Sequence, residues 1–344
     1  MTGNANNIHN RKCKGFEMEK KIRWGVLGNA KIGREKVIPA MQRGTNTVVT
    51  ALASRDRDKA LGVAVELGIE KVYGSYEDLL ADPEVDAVYN PLPNDLHVPW
   101  SIRAAEAGKH VLCEKPIGLG AAEAAELIAA RDRYGVKIGE AFMARTHPQW
   151  LRTREIVASG GIGELRLMTC VFSYFNRDGN NIRNRVSAGG GALMDIGCYP
   201  VTLSRMIFGA EPRRVTSKVE RDPDFGTDRL TSAILEYEAG QCVFSCSTQM
   251  NPYQRVILFG TKGRVEIEIP FNALPDRPMR IVVEPGGVEE MTVCDQYTIQ
   301  GDLFSRAILE DGPVPVPLED ARNNMKVIEA IFRAGESNCW EPIR

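Results

Sequence analysis

The first group of residues that could do chemistry is Glu114-Lys115-Pro116, at the end of an apolar run that begins at His110. Proline restricts the residue before it to an extended conformation and can adopt a cis bond, so Pro116 would aim the Lys115 side chain. A lysine held in this way could carry a proton, although most lysines are surface charges. The triplet is therefore a candidate site that needs other residues beside it.

A second group lies in the stretch GGGALMDIGCYP at residues 189–200, which opens a predicted helix. Asp195 and Tyr199 are four residues apart, so they share one face of that helix. A carboxylate and a phenol on one face can orient and protonate a hydroxyl-bearing substrate. The same pair could form an ordinary hydrogen bond on the helix surface, and alone it does not define a site.

The segment Gly28-Asn29-Ala30-Lys31-Ile32-Gly33 has the spacing of the dinucleotide fingerprint G-x-G-x-x-G, with alanine at the second glycine. A strand-like run (22–28) precedes it and a helical run (32–44) follows, as the fingerprint requires. The first glycine permits a tight turn, and the helix N-terminus offers amide donors to a pyrophosphate. The pattern predicts nucleotide binding, against the alternative of a strand–helix turn that merely favours glycine.

The second strand-like run (47–54) ends at Ser54, followed by Arg55, with no acidic residue at the tip to hold the ribose of NAD. A hydroxyl and a guanidinium suit the 2′-phosphate of NADP, because arginine makes charge-assisted contacts to phosphate. The alternative is a serine that caps a helix beside a solvated arginine. We predict NADP rather than NAD. Because Asp56 is an acidic residue close to this strand end, NAD stays an alternative.

Polar residues also follow the fourth strand-like run, at Pro93, Asn94 and His97. Ligands of doubly wound sheets bind outside the carboxyl ends of the strands, so these residues and Lys115 would lie at one edge. A histidine at this position is by type more often a helix-start residue than a catalyst. The edge is the predicted ligand site.

The elements that must position these residues alternate between strands and helices from Ile22 onward. Strands are predicted at 22–28, 47–54, 71–73, 87–91, 110–115 and 137–142, and helices at 32–44, 57–68, 76–80, 97–108 and 122–134. This alternation predicts a parallel, doubly wound α/β sheet, a Rossmann domain, over residues 21–143.

The pattern changes over residues 144–344. A helix (149–159) and a strand (165–175) are followed by predicted hairpins at 230–249 and 255–269, and by helices at 302–310 and 318–334. Successive hairpins predict a mostly antiparallel sheet, and thus a second, α+β domain.

Composition narrows the function classes. The 43 basic and 45 acidic residues give a net charge of −2, so nothing in bulk attracts nucleic acid or an anionic membrane. No apolar run approaches the roughly 18 residues of a membrane span. Eight cysteines without a CxxC pair and four histidines without HExxH predict free thiols, a cytoplasmic location and no metal.

Residues 1–20 are polar and lack the apolar stretch of a signal peptide, so they are predicted to form a flexible tail. Either Met1 or Met18 could be the natural start of the chain.

Taken together, WGVLGNAKIG, ASR, PLPNDLH, HVLCEKP and GGGALMDIGCYP resemble the Gfo/Idh/MocA oxidoreductase family in order and spacing. The resemblance implies a Rossmann domain followed by a domain with a large open sheet, through which members form homodimers or homotetramers. Many members carry D-x-x-x-H in the last motif, where this chain has Asp195 and Tyr199. That departure resembles the branch of glucose–fructose oxidoreductase, dimeric dihydrodiol dehydrogenases and NADP-dependent xylose dehydrogenases.

The resemblance also implies roles for individual residues. The pyrophosphate would lie along Gly28, Ala30, Lys31 and Ile32, and the adenosine ribose beside Ser54 and Arg55. The nicotinamide ribose would lie near Pro93, Asn94 and His97. The reacting centre would hold Glu114 and Lys115, with Asp195 and Tyr199 closing over the substrate. Arg183 and Arg185 are weaker candidates for lining the pocket.

We therefore predict reversible hydride transfer between NADP and a CH–OH group of a sugar or related polyhydroxy compound. Removing the hydroxyl proton needs a base, and Tyr199 with a lowered pKa or Lys115 with a pKa depressed by burial could serve. The two are assigned as a coupled pair. Alternatives are a trans-dihydrodiol dehydrogenase, a reductase of the 1,5-anhydrofructose type, a glycosidase that uses bound NAD, and a non-catalytic NADP-binding regulator.

Overall fold

The first sheet of the computed structural model, which describes residues 20–344, contains six parallel strands. They are β1 (Ile22–Leu27), β2 (Thr47–Ala53), β3 (Lys71–Tyr73), β4 (Ala87–Asn90), β5 (His110–Glu114) and β6 (Ile138–Ala141). Their order β3-β2-β1-β4-β5-β6 reverses between β1 and β4, so the ligand crevice is expected at the carboxyl ends of these two strands. The doubly wound prediction is confirmed. The predicted tail, except for Lys20, lies outside the described residues.

Helices connect these strands in the predicted order. A π-helical turn (Gly33–Val37) continues into α1 (Ile38–Gln42), and α2 (Arg57–Leu67), α3 (Tyr76–Ala81), α4 (Asn94–Glu106) and α5 (Ala121–Tyr134) follow. Helix α4 begins three residues earlier than predicted, so Asn94 stands in its first turn. A 3₁₀ turn at Met143–Thr146 then leads to α6 (Pro148–Ala158).

The second sheet has nine strands. They are β7 (Leu165–Phe175), β8 (Arg214–Arg221), β9 (Asp228–Glu236), β10 (Gln241–Ser247), β11 (Gln249–Gly260), β12 (Arg264–Ile267), β13 (Arg280–Glu284), β14 (Gly287–Glu290) and β15 (Glu341–Pro342). Their order is β14-β13-β12-β11-β7-β10-β9-β8-β15. Both predicted hairpins are present as β9–β10 and β11–β12. The sheet is mixed, because β10 lies parallel to β7.

The two faces of this sheet differ. Cys242, Phe244 and Cys246 alternate along β10 on the covered face, which packs beneath α7 (Cys198–Phe208). On the opposite face, Ile234, Val243, Thr169 and Ile257 stand in one row across four neighbouring strands and are half-buried. This open face has no further layer over it within the described residues.

The chain returns to the first sheet near its end. Helix α8 (Gln296–Leu309) packs against β1, where Trp24 Nε1 donates a 3.0 Å hydrogen bond to Ser305 Oγ. Helix α8 begins six residues earlier than predicted, with Asp295 capping its N-terminus. Helix α9 (Leu318–Ser337) lies between α5 and β8. The residue boundary between the two predicted domains stays a prediction. None of the helices within residues 20–344 combines the length and apolarity needed to cross a bilayer.

Candidate active site

The Lys115 side chain projects from the end of β5 toward the second half of the chain. The Lys115–Pro116 peptide bond is cis, as the sequence allowed. Lys115 Nζ donates to the main-chain oxygen of Asp195 at 2.6 Å and lies 3.4 Å from Asp195 Oδ1. Each of the two side chains is 12% exposed, so the ion pair is largely shielded from water.

Asp195 sits in a π-helical turn (Leu193–Gly197) that precedes α7. Its Oδ2 accepts hydrogen bonds from Tyr174 Oη at 2.6 Å and from Arg183 Nε at 2.8 Å. Burial alone would raise the pKa of Asp195, but Arg183, Lys115 and the Tyr174 hydrogen bond bring it well below its usual range. Asp195 is thus held as a carboxylate.

Sequence reasoning missed Tyr174 and treated Arg183 as a weak candidate. Tyr174 lies in β7, where a tyrosine is an ordinary sheet residue, and nothing local indicates that its hydroxyl reaches Asp195. Arg185 lies apart from this group, because it is exposed and its guanidinium donates to Asn180 O at 3.0 Å.

Tyr199 is enclosed by aromatic rings. Its ring centroid lies 4.9 Å from that of Phe142, 5.7 Å from Phe172 and 5.1 Å from Phe271. Among the described residues, its hydroxyl has the Met143 thioether as partner, at 3.6 Å. A thioether is a weak acceptor, so the hydroxyl is left available for a stronger one.

Lys115 and Tyr199 meet differently from the prediction. Lys115 Nζ lies 5.0 Å from the Tyr199 ring centroid, over the ring face rather than beside the hydroxyl. Burial raises the pKa of Tyr199 well above its usual range. Burial also acts to lower the pKa of Lys115, but the charge of Asp195 outweighs it, and the pKa is raised. Both pKa values are therefore shifted in the direction opposite to the lowering that the two options for the base require.

The hydrogen bond between Asp195 and Tyr199 that was the alternative interpretation of their spacing is absent. The π-helical turn is wider than an α-helical one, so residues four apart are not placed as an α-helix would place them. Asp195 instead turns to Tyr174 and Arg183, and Tyr199 turns to Met143.

Glu114 accepts a 2.6 Å hydrogen bond from the hydroxyl of Tyr89, a buried residue of β4 that the sequence did not single out. Burial raises the pKa of Glu114, although Lys115 and this hydrogen bond oppose the shift. Glu114 also accepts from its neighbour's main chain, with Lys115 N 3.3 Å from Oε2. The Tyr89–Glu114 hydrogen bond thus links β4 to the end of β5.

His97 is a buried residue of α4 that contacts two loops at the strand ends. Its ring is 1% exposed and lies with Nδ1 2.8 Å from Pro116 O and Nε2 2.7 Å from Leu92 O, so it ties two strand-end loops together. Burial lowers the pKa of His97 to about 4. Both ring nitrogens already face carbonyl oxygens, and the contact of His97 with the cofactor stays a prediction.

Pro93 and Asn94 remain at the surface of the crevice, both half-buried at the start of α4. Asn94 Nδ2 donates to Gly189 O at 2.9 Å and so joins the first sheet's loops to the segment that precedes Asp195.

The fingerprint loop has the shape that a pyrophosphate needs. Gly28 adopts φ +85°, and a Cβ there would lie 2.8 Å from Leu92 Cδ2, so only glycine fits without a shift. The helix's first main-chain bond runs from Arg34 N to Ala30 O, which leaves the N–H groups of Lys31, Ile32 and Gly33 facing out of its N-terminus. Lys31 is exposed, and Ala30 and Ile32 are half-buried. These residues fit a dinucleotide.

At the end of β2, the helix cap that the alternative interpretation gave to Ser54 is formed by Asp56, whereas Arg55 is exposed, as both interpretations require. Ser54 is 7% exposed, and its hydroxyl accepts from Asp56 N at 3.2 Å. The cap of α2 is Asp56, whose carboxylate accepts from Lys59 N at 3.1 Å and pairs with Lys59 Nζ at 2.7 Å. The Asp56 carboxylate is therefore occupied. Arg55 is exposed and has no hydrogen-bond partner within residues 20–344.

A doubly wound sheet with this loop, joined at its strand ends to a buried lysine–carboxylate pair, defines an oxidoreductase that binds a nicotinamide dinucleotide. Comparison of the sequence with known protein families supports this class. Residues 22–142 match the oxidoreductase family with an NAD-binding Rossmann fold, and residues 150–266 match the GFO/IDH/MocA C-terminal domain. The chain belongs to the Gfo/Idh/MocA family.

Relatives match nearly the whole chain. An oxidoreductase from Rhizobium meliloti is 47% identical over 94% of this chain and 99% of its own length. A D-xylose 1-dehydrogenase (NADP⁺) from Haloferax volcanii is 40% identical over 92% of this chain and 98% of its own length. A trans-1,2-dihydrobenzene-1,2-diol dehydrogenase from Mus musculus is 35% identical over 72% of this chain and 74% of its own length.

Solved structures share the fold. The aldose–aldose oxidoreductase from Caulobacter crescentus, in complex with glycerol, superposes with a TM-score of 0.86 at 28% identity, over 94% of this chain and all of that one. KijD10, a 3-ketoreductase from Actinomadura kijaniata in complex with NADP and TDP-benzene, superposes with a TM-score of 0.85 at 30% identity, over 92% of this chain and 98% of that one.

Proposed function

We propose that this oxidoreductase transfers a hydride between NADP and a CH–OH carbon of a sugar or related polyhydroxy compound. The observation that carries the proposal is the buried Lys115 ammonium, held 2.6 Å from Asp195 O at the sheet edge that also carries the fingerprint loop. The nicotinamide, when bound, accepts or supplies the hydride, and the protein's own residues position the substrate and handle the proton.

Asp195 and Lys115 have complementary roles in this proposal. Asp195 Oδ2 is occupied by Tyr174 and Arg183, so Oδ1 is the oxygen that accepts a substrate hydroxyl. Lys115 Nζ donates to the substrate oxygen that gains or loses the proton. The Tyr199 hydroxyl, whose partner among the described residues is the weak Met143 thioether acceptor, is assigned as a second donor to the substrate.

NADP is proposed over NAD because of the end of β2. The Asp56 carboxylate caps α2 and pairs with Lys59, so fewer of its acceptor sites are left for a ribose hydroxyl. The exposed Arg55 guanidinium is available for a 2′-phosphate, to which arginine can make two parallel hydrogen bonds.

The proposal also covers the self-association of the protein and its cellular location. The open sheet face, with Ile234, Val243 and Ile257 in its central row, would bind a second copy of the chain in a homodimer or, with more copies, a homotetramer. A cytoplasmic location suits the seven described cysteines, which are all free thiols.

A second candidate is the reduction of a ketose or keto-sugar. The lysine and the tyrosine both have raised pKa values, so both carry protons that they can donate to a carbonyl oxygen. Oxidation of an alcohol would require one of them to lose its proton first. The two candidates are opposite directions of one reaction type.

The test is a turnover assay with purified protein. NADP⁺ or NAD⁺ is mixed with aldoses and trans-diols, NADPH or NADH with keto-sugars, and reduced nicotinamide is followed by absorbance. Turnover with NADP⁺ and an aldose is the expected result. Tight NADPH binding with no turnover of any substrate would contradict the proposal and favour a regulator.

A further inference from the structure

We propose that Arg183 is a specificity-determining residue whose terminal amino groups bind a carboxylate or phosphate group on the sugar substrate. The inference rests on the proposed function and narrows its substrate class from neutral sugars to acidic ones. Arg183 would then act twice: through Nε on Asp195 and through its two terminal nitrogens on the substrate.

The guanidinium is only partly used by the protein. Arg183 Nε donates to Asp195 Oδ2 at 2.8 Å, while its two terminal nitrogens have no acceptor within residues 20–344. The side chain is 41% exposed, whereas that of Asp195 is 12% exposed, so the free nitrogens lie on the outer side of the buried carboxylate. The terminal nitrogens thus offer N–H donors next to the Asp195 carboxylate, where the proposed substrate would bind, and such a fork matches carboxylate and phosphate oxygens.

The loop that carries Arg183 holds it in place. Arg183 N donates to Asn181 Oδ1 at 3.1 Å, and Arg183 O accepts from Gly191 N at 2.8 Å. The next residue, Asn184, is 4% exposed and donates to Asp178 O at 2.9 Å. An arginine ordered at both its main chain and its Nε loses little freedom when it binds an anion.

The charged groups around Asp195 favour the binding of an anion. Two cations, Lys115 and Arg183, contact the single carboxylate of Asp195. The nearby Glu114 carboxyl accepts a 2.6 Å hydrogen bond from Tyr89 Oη, and burial raises its pKa. The other group on Asp195, the Tyr174 hydroxyl, is neutral. An acidic substrate would give the Arg183 guanidinium a second anionic partner, whereas a neutral sugar would leave its terminal nitrogens to water.

The experiment compares substrates that differ in charge and little else. D-glucose is paired with D-glucuronate and with D-glucose 6-phosphate, and D-galactose with D-galacturonate, in wild type, Arg183→Gln and Arg183→Lys. The matched control is Arg185→Gln, since Arg185 is an exposed arginine of the same loop that faces Asn180.

We expect wild type to have the higher kcat/KM for the acidic member of each pair. Arg183→Gln should lower kcat/KM for acidic substrates by a further ~10- to 100-fold beyond its effect on neutral ones, mainly through KM, because a charge-assisted bidentate contact is lost. Arg183→Lys should restore part of this difference, and Arg185→Gln should leave it unchanged.

Several outcomes would overturn the inference. Equal losses for neutral and acidic substrates would mean that Arg183 acts through Asp195 alone, and a change confined to the KM for NADP would mean that it contacts the cofactor. Calorimetric titration of D-glucuronate into NADPH-loaded wild type and Arg183→Gln tests binding without turnover. Equal affinities there would refute the inference even if no sugar is turned over, whereas failure of the proposed function shows as absent turnover alone.

Discussion

Lys115 Nζ lies 2.6 Å from the main-chain oxygen of Asp195 and 3.4 Å from its Oδ1, although the two residues are 80 positions apart. Lys115 directly follows the last residue of β5 in the first sheet, and Asp195 lies in the turn that precedes α7. The contact fixes the lysine ammonium between two oxygens while leaving its third proton free for a substrate. The reacting groups are therefore assembled only when the two halves of the chain pack together.

The first prediction concerns the proton-carrying group. Lys115→Met should lower kcat by roughly a factor of a thousand, because positioned acid–base groups contribute about 10²- to 10⁴-fold. NADPH binding, measured by fluorescence titration, should change little. Lys262→Met, at an exposed turn, is the control. Near-normal turnover in Lys115→Met would contradict the assigned role.

The second prediction separates the Tyr199 hydroxyl from its ring. Tyr199→Phe should lower kcat on the order of a hundredfold. The free energy of unfolding should change by less than about 1 kcal/mol, because the hydroxyl's partner is a thioether at 3.6 Å and the ring packing is kept. Denaturant unfolding and steady-state kinetics measure both quantities.

A buried tyrosine away from the site provides the control for Tyr199→Phe. Tyr237 Oη lies 2.8 Å from Ser204 Oγ, so Tyr237→Phe should lower stability and leave turnover intact. If Tyr199→Phe lost stability but kept its turnover, the hydroxyl would be structural and the proposed role would fail.

The third prediction addresses cofactor choice. Arg55→Ala should raise the KM for NADP by about tenfold or more, because a charge-assisted contact to the 2′-phosphate is lost. The KM for NAD, which lacks that phosphate, is the internal control and should stay within about twofold. Equal changes for the two cofactors would place Arg55 away from the 2′-phosphate.

Much of this site could be predicted from local patterns. The Gly28 turn and the loop at Asn94 follow from short motifs at strand ends, where parallel strands bring separate segments to one edge. The cis Lys115–Pro116 bond was allowed by the sequence but not required by it. The contacts of Asp195 could not be predicted. They depend on a π-helical turn and on the meeting of β7 with the Arg183 loop, which are long-range results of packing.

The bounds of the helices and strands also divide into those that local sequence predicts and those that long-range packing determines. The alternating apolar pattern placed β7 at its observed bounds, because one face of that strand is buried along its length. The start of α8 was misplaced by six residues, since its first turns pack against the first sheet and carry polar side chains such as Gln296 and Gln300 inward. Short local windows cannot show which buried layer a returning helix will meet.

The fourth prediction tests self-association. Val243→Lys places a charge in the central row of the open sheet face, where a bound second copy would desolvate it. We expect sedimentation velocity to show a shift from dimer or tetramer toward monomer. Val65→Lys, on the exposed side of α2, is the control. An unchanged oligomer in Val243→Lys would rule out this face as the interface.

The last prediction concerns Glu140, a buried acid near the end of β6. Its side chain is 2% exposed, with Oε1 accepting from Ile117 N at 2.8 Å and Oε2 without a partner among residues 20–344. Burial, helped by the charge of Asp320, raises the pKa of Glu140 to about 8. The folded protein therefore holds a proton here that the unfolded chain releases above a pKa near 4.5.

The sign of the effect follows from this difference. The stabilising contribution of protonated Glu140 is fully present below about pH 4.5 and is lost as the pH rises toward about 8, at no more than about 1.4 kcal/mol per pH unit. Glu140→Gln keeps the acceptor for Ile117 N and removes the titration. The variant should therefore gain stability relative to wild type as the pH rises from 5 to 8, measured by urea unfolding at each pH.

Comparing the two proteins at each pH cancels the other titrating groups, such as His97, whose lowered pKa acts in the opposite direction. Glu336→Gln, at an exposed position of α9, serves as the control and should follow wild type at every pH. A difference between Glu140→Gln and wild type that stays constant from pH 5 to 8 would mean that Glu140 is ionised in the folded protein. The unpaired Oε2 would then have to be satisfied by water reaching it inside the fold.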